Sequence, residues 1–342
     1  MSDADAALTI AQAMDRAVDL AALGPAHGPN PRVGCVILNA DGAVLGEGWH
    51  RGAGTAHAEV AAIADARARG TDITGGTAVV TLEPCSHTGR TGPCVDALTE
   101  AGVAAVTYAV ADPGQASSGG ADVLTSRGIP AIHAPHEGAT ALTHRWLTAM
   151  RAGRPYVIAK WAATLDGRMA AADGTSFWIT GPQAREHAHA VRAQVDAIAV
   201  GTGTVLADDP QLSARPGGEE SEHQPLRVVI GRTDTAGRRV WRDLHALAVA
   251  SHDPRDTLAA LWEREVRTVV VEGGPTVLSA FLREGLVDEV NAYIAPALLG
   301  AGPSVVEGLG IETMADALRG QDVNFQLLGA DILVTAHLSR GF

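Results

Sequence analysis

One imidazole, two thiols and one carboxylate have the residue types and spacing to do chemistry. His57-Ala58-Glu59 is predicted to open a helix, Pro84-Cys85 follows a predicted strand, and Cys94 comes nine residues later, behind Pro93. An imidazole and two thiolates are a complete protein ligand set for one catalytic zinc, with the fourth position left to water. Such a zinc brings the pKa of water towards neutrality. Glu59 can reach that water without ligating the metal, and can carry its proton to a ring nitrogen and a leaving amine. Helix N-termini behind Pro84 and Pro93 are expected to favour the thiolate forms. His-x-Glu with Pro-Cys-x-x-Cys marks zinc nucleobase deaminases as a class. Here eight residues, 86–93, separate the cysteines, and the insert brings His87, Thr88 and Arg90 to the predicted substrate mouth. Cys35, between Gly34 and Val36 in a predicted strand, reads as core.

A second kind of chemistry is suggested further along. Residues 197–200 and 269–271 read as strands, the first running into Gly201-Thr202-Gly203-Thr204 and the second into Glu272-Gly273-Gly274-Pro275-Thr276. Glycines at a helix start let backbone N–H groups approach phosphate oxygens. Taken alone, each turn fits a tight turn as well as a phosphate cradle. Leu206 stands where the dinucleotide fingerprint has its third glycine, which argues against a Rossmann domain.

These residues need elements to hold them. Ala7, Ile10, Ala11, Met14, Ala17, Val18 and Ala21 have helical spacing, ended by Gly24-Pro25. Strands are predicted over 33–38, 44–48, 77–82 and 105–110, with Asp41-Gly42 as a hairpin turn, and helices over 58–69, after Pro93 and over 137–150. Residues 112–120 read as a Gly/Ser-rich loop. Residues 151–155, Arg-Ala-Gly-Arg-Pro, break the pattern. Strands then recur over 156–162, 197–200, 226–230, 247–250, 268–271, 290–294 and 332–337, and 214–224 is a polar loop. Alternating helices and strands mean α/β layers in both halves. With 342 residues and about 150 per domain, two domains are expected, 1–150 and 151–342.

Composition narrows the function classes. The net charge of −13 and the 4% aromatic content argue against a nucleic-acid binder, which needs clustered cations and stacking platforms. No apolar run approaches the roughly 18 residues of a membrane span. The acidic start, Met1-Ser2-Asp3-Ala4-Asp5, is unlike a signal peptide, so a cytoplasmic location is expected. Three cysteines suit metal binding or plain thiols in a reducing compartment better than a disulfide framework.

The segments Asn30-Pro31-Arg32-Val33-Gly34-Cys35-Val36, Gly54-Thr55-Ala56-His57-Ala58-Glu59-Val60 and the run 81–94 from Thr81 to Cys94 together resemble the bifunctional riboflavin biosynthesis deaminase–reductases. The likeness continues through Lys160-Trp161-Ala162-Ala163-Thr164-Leu165-Asp166-Gly167-Arg168, Ser176-Phe177-Trp178-Ile179-Thr180, Ala207-Asp208-Asp209-Pro210-Gln211-Leu212 with Arg215, and Val271-Glu272-Gly273-Gly274. The resemblance implies a cytidine-deaminase-like α/β/α domain followed by a dihydrofolate-reductase-like α/β domain. It implies zinc-dependent hydrolytic deamination of 2,5-diamino-6-ribosylamino-4(3H)-pyrimidinone 5′-phosphate. NADPH-dependent reduction of the product's ribosyl group to ribityl would follow.

Carried over residue by residue, the resemblance gives His57, Cys85 and Cys94 to zinc and the proton shuttle to Glu59. It gives the deaminase substrate to Asn30, His87, Arg90 and Asp112. The reductase substrate would meet Ser176, Arg192, Leu212, Arg215 and Glu272, two of them arginines suited to a phosphate. The cofactor would meet Ala162, Trp178, Thr180, Thr204, Asp208, Gly273 and Gly274. Small phosphorylated pyrimidines are the implied partners, with a homo-oligomer, dimer or tetramer, expected and no nucleic acid or membrane. Two places depart from the family pattern: Gly114 replaces an asparagine that helps hold the substrate, and Gly231-Arg232 replaces an Asp followed by Ser or Thr near the cofactor. Gly114 keeps open an alternative, a paralogous enzyme acting on another phosphorylated aminopyrimidine.

Overall fold

The chain divides into two units, Met1–Ala152 and Gly153–Phe342, and the computed structural model describes residues 7–87, 92–114 and 117–338. In the first unit the order is α1 (Ile10–Ala22), β1 (Gly34–Leu38), β2 (Val44–Trp49), α2 (Ala58–Ala68), β3 (Thr77–Leu82), α3 (Cys94–Glu100), β4 (Ala105–Val110), α4 (Gly120–Ser126), β5 (Ala131–His133) and α5 (Glu137–Ala152). Thr9 starts α1 with a reciprocal cap: its hydroxyl accepts from the Gln12 N–H while the Gln12 side chain accepts from the Thr9 N–H.

The strands form one sheet in the order β2-β1-β3-β4-β5. The first three are antiparallel and the last two parallel to β3. Every residue of β1 is buried, because helices cover both faces of the sheet. A Cβ on Gly34 would fall 1.9 Å from the Ala17 carbonyl oxygen in α1, whereas one on Gly48 would fall 2.5 Å from the Ala62 nitrogen in α2. Side-chain-free positions thus let α2, which carries His57 at its start, lie directly on β2. Cys35 is wholly buried, as expected of a core thiol. The predicted loop over 112–120 ends at Gly120, where the short α4 begins. Neither α4 nor β5 has enough residues to show a period in sequence.

The second unit runs β6 (Tyr156–Thr164), α6 (Pro182–Arg192), β7 (Ala197–Gly201), α7 (Thr202–Asp208), β8 (Leu226–Ile230), β9 (Ala246–Val249), α8 (Pro254–Trp262), β10 (Thr268–Val271), α9 (Pro275–Arg283), β11 (Glu289–Ala295), β12 (Gly320–Leu328) and β13 (Asp331–Leu338). Its sheet has the order β12-β13-β11-β6-β10-β7-β8-β9. From β11 to β9 all neighbours are parallel, and β13 and β12 close one edge antiparallel. The core is mainly aliphatic, built from Val157, Ala159, Ala199, Val228, Val269, Val271 and Leu278, with Phe281 among them. Because β10 lies between β6 and β7, the glycine turns after β7 and β10 open side by side at the same end of the sheet. Ligands of open α/β sheets collect at such carboxyl ends. Among the described residues, no helix is long and apolar enough to cross a membrane.

Candidate active sites

His57 is the N-cap of α2 and Glu59 lies in its first turn, only 3% exposed. Cys85 follows β3 and Cys94 opens α3 behind Pro93. The His57 Nδ1 atom lies 3.2 Å from the Cys94 sulfur and 3.5 Å from the Cys85 sulfur, and the three ligand atoms are all within 4.8 Å of one another. Zinc bonds of about 2.0 Å to nitrogen and 2.3 Å to sulfur in a tetrahedral shell place ligand atoms roughly 3.5–3.8 Å apart. The donor set and its spacing therefore fit zinc.

Electrostatics set the two thiols apart: Cys85 is ready as a thiolate, whereas Cys94, against the expectation for a thiol at a helix start, holds its proton until a metal displaces it. Hydrogen bonds from the Cys94 thiol, from His57 and from the Cys94 backbone N–H hold the Cys85 thiol down to about 4. Cys94 retains the proton shared between the sulfurs, and that bond with Cys85, together with burial, keeps its pKa high. Burial likewise raises Glu59. One sequence expectation is corrected here. Among the described residues no helix begins behind Pro84; Cys85 is instead served by α3, whose first N–H, that of Cys94, donates to the Cys85 sulfur at 3.4 Å.

Around this centre the Asn30 amide donates to His50 Nε2 at 2.9 Å, and the other ring nitrogen of His50 donates to the Ala56 carbonyl at 3.0 Å. Burial lowers the pKa of His50, which favours the neutral ring, and the Ala56 carbonyl and Asn30 amide set its tautomer. The His50 ring meets His57 edge-on, with centroids 5.3 Å apart. Sequence reasoning named Asn30 but missed His50, which nothing in its local pattern sets apart. His87 has a buried Nδ1 with no hydrogen-bond partner among the described residues, a donor or acceptor left for a ligand. Asp112 is buried and accepts from the Gly114 N–H at 2.8 Å. Arg90 lies outside the described residues.

In the second unit the centre is a charge cluster. Glu272, just past β10, receives two bonds from the Arg192 guanidinium at 2.8 and 2.7 Å and one from the Lys160 ammonium at 3.4 Å. Lys160 also lies over the Tyr293 ring, 5.5 Å from its centroid, and the Tyr293 hydroxyl is hydrogen-bonded to His187 Nδ1 at 2.8 Å. A third Arg192 bond reaches the Ser213 carbonyl, beside Leu212, which is buried in the left-handed region at φ 53. Arg215 donates its N–H to His189 Nδ1 at 3.2 Å, and its guanidinium reaches Gln211 at 3.4 Å. Sequence reasoning named Arg192, Arg215 and Glu272 but gave no role to Lys160, His187, His189 or Tyr293, which come from separate elements.

The cofactor candidates occupy the neighbouring turns. Gly274 caps α9 and Gly201 caps α7. A Cβ on Gly274 would find only Thr204 Oγ1, at 3.7 Å, and one on Gly203 would meet open space. Bare backbone at paired strand ends suits the approach of a diphosphate. Trp178 is 68% exposed, with the Arg185 guanidinium 4.4 Å from its ring centroid. Arg185 also donates to the carbonyl of buried Thr180 at 2.7 Å. Ala162 packs beside Tyr293 in a small cluster. Ser176 and Asp208 share no hydrogen bond with this network among the described residues. Arg232 is exposed, its Nε donating to the Ala250 carbonyl at 3.3 Å.

A zinc-thiolate centre in one unit and a reductase-type site in the other define a deaminase–reductase. The family model of the cytidine and deoxycytidylate deaminase zinc-binding region matches residues 9–110, and that of the RibD C-terminal domain matches residues 155–334. The riboflavin biosynthesis protein RibD of Mycobacterium tuberculosis is 43% identical over 312 residues, covering 90% of this chain and 91% of the relative. A solved structure of Acinetobacter baumannii RibD superposes with a TM-score of 0.86 at 36% identity, covering 96% and 98% of the two chains. A structure from Thermotoga maritima, described as a diaminohydroxyphosphoribosylaminopyrimidine deaminase/5-amino-6-(5-phosphoribosylamino)uracil reductase, superposes with a TM-score of 0.85 at 32% identity, covering 96% and 99%. The chain belongs to the RibD family of riboflavin-biosynthesis enzymes.

Proposed function

We infer that the chain performs two consecutive steps. Residues 1–150 remove the amino group of 2,5-diamino-6-ribosylamino-4(3H)-pyrimidinone 5′-phosphate by hydrolysis. Residues 151–342 then reduce the ribosyl group of 5-amino-6-(5-phosphoribosylamino)uracil to ribityl. The observation that carries this reading is the convergence of His57 Nδ1 and the two cysteine sulfurs beside a buried Glu59.

His57, Cys85 and Cys94 hold the zinc, which supplies Lewis-acid activation of water at neutral pH. Glu59 takes the proton that water gives up on attack and delivers it to the ring nitrogen; it then takes the proton of the hydroxyl added to carbon and delivers it to the amine, which departs as ammonia as the C–N bond breaks and the carbonyl forms. Asn30 and His87 orient the pyrimidine, and Asp112 and Arg90 complete its binding. In the reductase half NADPH supplies the hydride. Arg192 and Arg215 grip the substrate phosphate, while Ser176, Leu212 and Glu272 shape the space for its sugar. Ala162, Trp178, Thr180, Thr204, Asp208, Gly273 and Gly274 receive the cofactor.

The test is a coupled assay on zinc-loaded protein given the diaminopyrimidinone phosphate and NADPH. Ammonia should appear first, with NADPH oxidation after a lag. Zinc-loaded protein that yields neither signal would leave the paralogous alternative. In the same assay Arg215→Ala should raise the reductase KM about tenfold or more, the worth of a charged hydrogen bond to phosphate. Ammonia release should not change. A reductase KM equal to that of the parent would remove Arg215 from the phosphate site.

A cytoplasmic location fits the free thiols of Cys35, Cys85 and Cys94, two of them required as zinc ligands. A homo-oligomer fits β12, an edge strand that leaves Val323, Phe325 and Leu327 exposed at 45%, 69% and 76%. These alternate residues share one face of the sheet, and an apolar edge of this kind calls for a cover. Sedimentation as a monomer would remove that reading.

A further inference from the structure

Asp112, Ser117, Ser118 and Ala121 are bonded to the segment that carries Cys85. Glu83, 8% exposed, accepts from the Asp112 N–H at 3.1 Å with one carboxylate oxygen and from the Ala121 N–H at 3.0 Å with the other. Ser86, the neighbour of Cys85, donates its N–H to the Ser117 carbonyl at 3.2 Å and its hydroxyl to the Ser118 carbonyl at 2.8 Å. The Gly114 carbonyl accepts from the N–H groups of Ser117 and Ser118, at 3.2 and 2.9 Å. Asp112 accepts from the Gly114 N–H at 2.8 Å, and the Ser117 hydroxyl lies beside the same carboxylate, where it works against the upward pull of burial on its pKa.

At Gly114 this wall has no room for a side chain. A Cβ there would lie 2.2 Å from Ser117 Oγ and 3.1 Å from Asp112 Oδ1. The Ser117 hydroxyl therefore occupies the space that any side chain at position 114 would enter. It faces the Asp112 carboxylate, which is buried and needs donors. Outer groups of this kind fix the orientation of the groups that meet a ligand.

We propose that Ser117 is a positioning residue of the deaminase site: seated over bare Gly114, its hydroxyl fixes the Asp112 carboxylate and holds the wall against the Cys85-Ser86 segment. This rests on the deaminase reading above. Position 114 is glycine because the polar group acting there comes from residue 117. The Ser117 hydroxyl makes no bond to a metal ligand, so its loss acts on substrate placement and leaves the zinc ligands in place.

Ser117→Ala should raise the deaminase KM about fivefold, the equivalent of one ordinary hydrogen bond, with kcat within about twofold. Zinc content, and reductase kinetics measured on the already deaminated intermediate, should match the parent. Gly114→Ala should raise the same KM, because its methyl expels the hydroxyl. In the Ser117→Ala background it should add little, a coupling that a merely structural serine would not produce. A deaminase KM unchanged in Ser117→Ala, or fully additive effects of the two substitutions, overturns the proposal. If Ser117→Ala does not fold, Gly114→Ala alone decides, and an unchanged KM again overturns it. A parent enzyme that releases no ammonia from the pyrimidine refutes the deaminase reading instead.

Discussion

Replacing Glu59 by glutamine should reduce ammonia release by about 10²–10⁴-fold, the range set by a lost general acid–base, while zinc stays bound. Glu59 is not one of the three clustered ligand atoms, so the metal set His57, Cys85 and Cys94 is left whole. Glutamine matches glutamate in shape, and at 3% exposure the packing at the start of α2 is kept. What is lost is a group that can accept a proton and return it. The upper end of the range is expected, because one carboxylate serves both the attack of water and the departure of the amine. Three readouts separate the causes: ammonia release, zinc by elemental analysis, and NADPH oxidation with the deaminated intermediate supplied directly. Ammonia release within tenfold of the parent would take Glu59 out of the proton path. Loss of zinc would make it a structural support of the metal site.

The two sites differ in how far the sequence exposed them, and the reason is topological. The zinc ligands come from the starts of α2 and α3 and the end of β3, three elements close together in the chain, each marked by a local signal. The charge cluster of the second unit joins Lys160 and Arg192 to a carboxylate 112 and 80 residues away. Those partners meet because β10 inserts between β6 and β7, and no local period encodes that order. Tyr293 arrives the same way, on a strand that pairs with β6 across the register Tyr293–Ala162. β12 was missed although its period is present. Val323, Phe325 and Leu327 alternate with Asp322, Asn324 and Gln326, but the strand lies at an edge and buries only its last residue. The alternation itself is legible in the sequence, and the edge position explains only why its apolar face is left in the open.

Both departures from the family pattern have a common physical form. At Gly114 a hydroxyl fills the space of the missing side chain. At Gly231, whose φ of 126 favours glycine, a Cβ would lie 2.8 Å from Thr202 Oγ1. In each case the glycine lets a neighbouring hydroxyl close in.

Glu272→Ala should cost the second unit about 3–5 kcal/mol, the penalty for breaking a buried ion pair from one side, and should remove reductase activity. The side chains of Glu272, Arg192 and Lys160 are 9%, 16% and 17% exposed, so water screens them little. One carboxylate balances two cations, and without it two like charges face each other with no counter-charge. Burial alone would raise the Glu272 pKa, but the charges of Arg192 and Lys160 outweigh it and hold the carboxyl far below the ordinary carboxylate range. The sign of the pH dependence follows. A carboxylate depressed in the folded state contributes fully above its unfolded pKa of about 4.3, and its contribution falls as pH drops towards the folded value. The difference between parent and Glu272→Ala should therefore be constant from about pH 5 to 8 and shrink below about pH 4. Hydrogen-exchange protection of β6 and β10 reads this locally, without assuming that the two units unfold together. Equal protection in parent and variant at pH 7 would mean that the cluster is solvated and contributes nothing. Protection lost equally at pH 3 and pH 7 would place the cost in packing, with the charge incidental. The expected outcome makes Glu272 the residue that holds Lys160 and Arg192 close together and aimed at one point, a condition for gripping an anionic substrate in a site this dry.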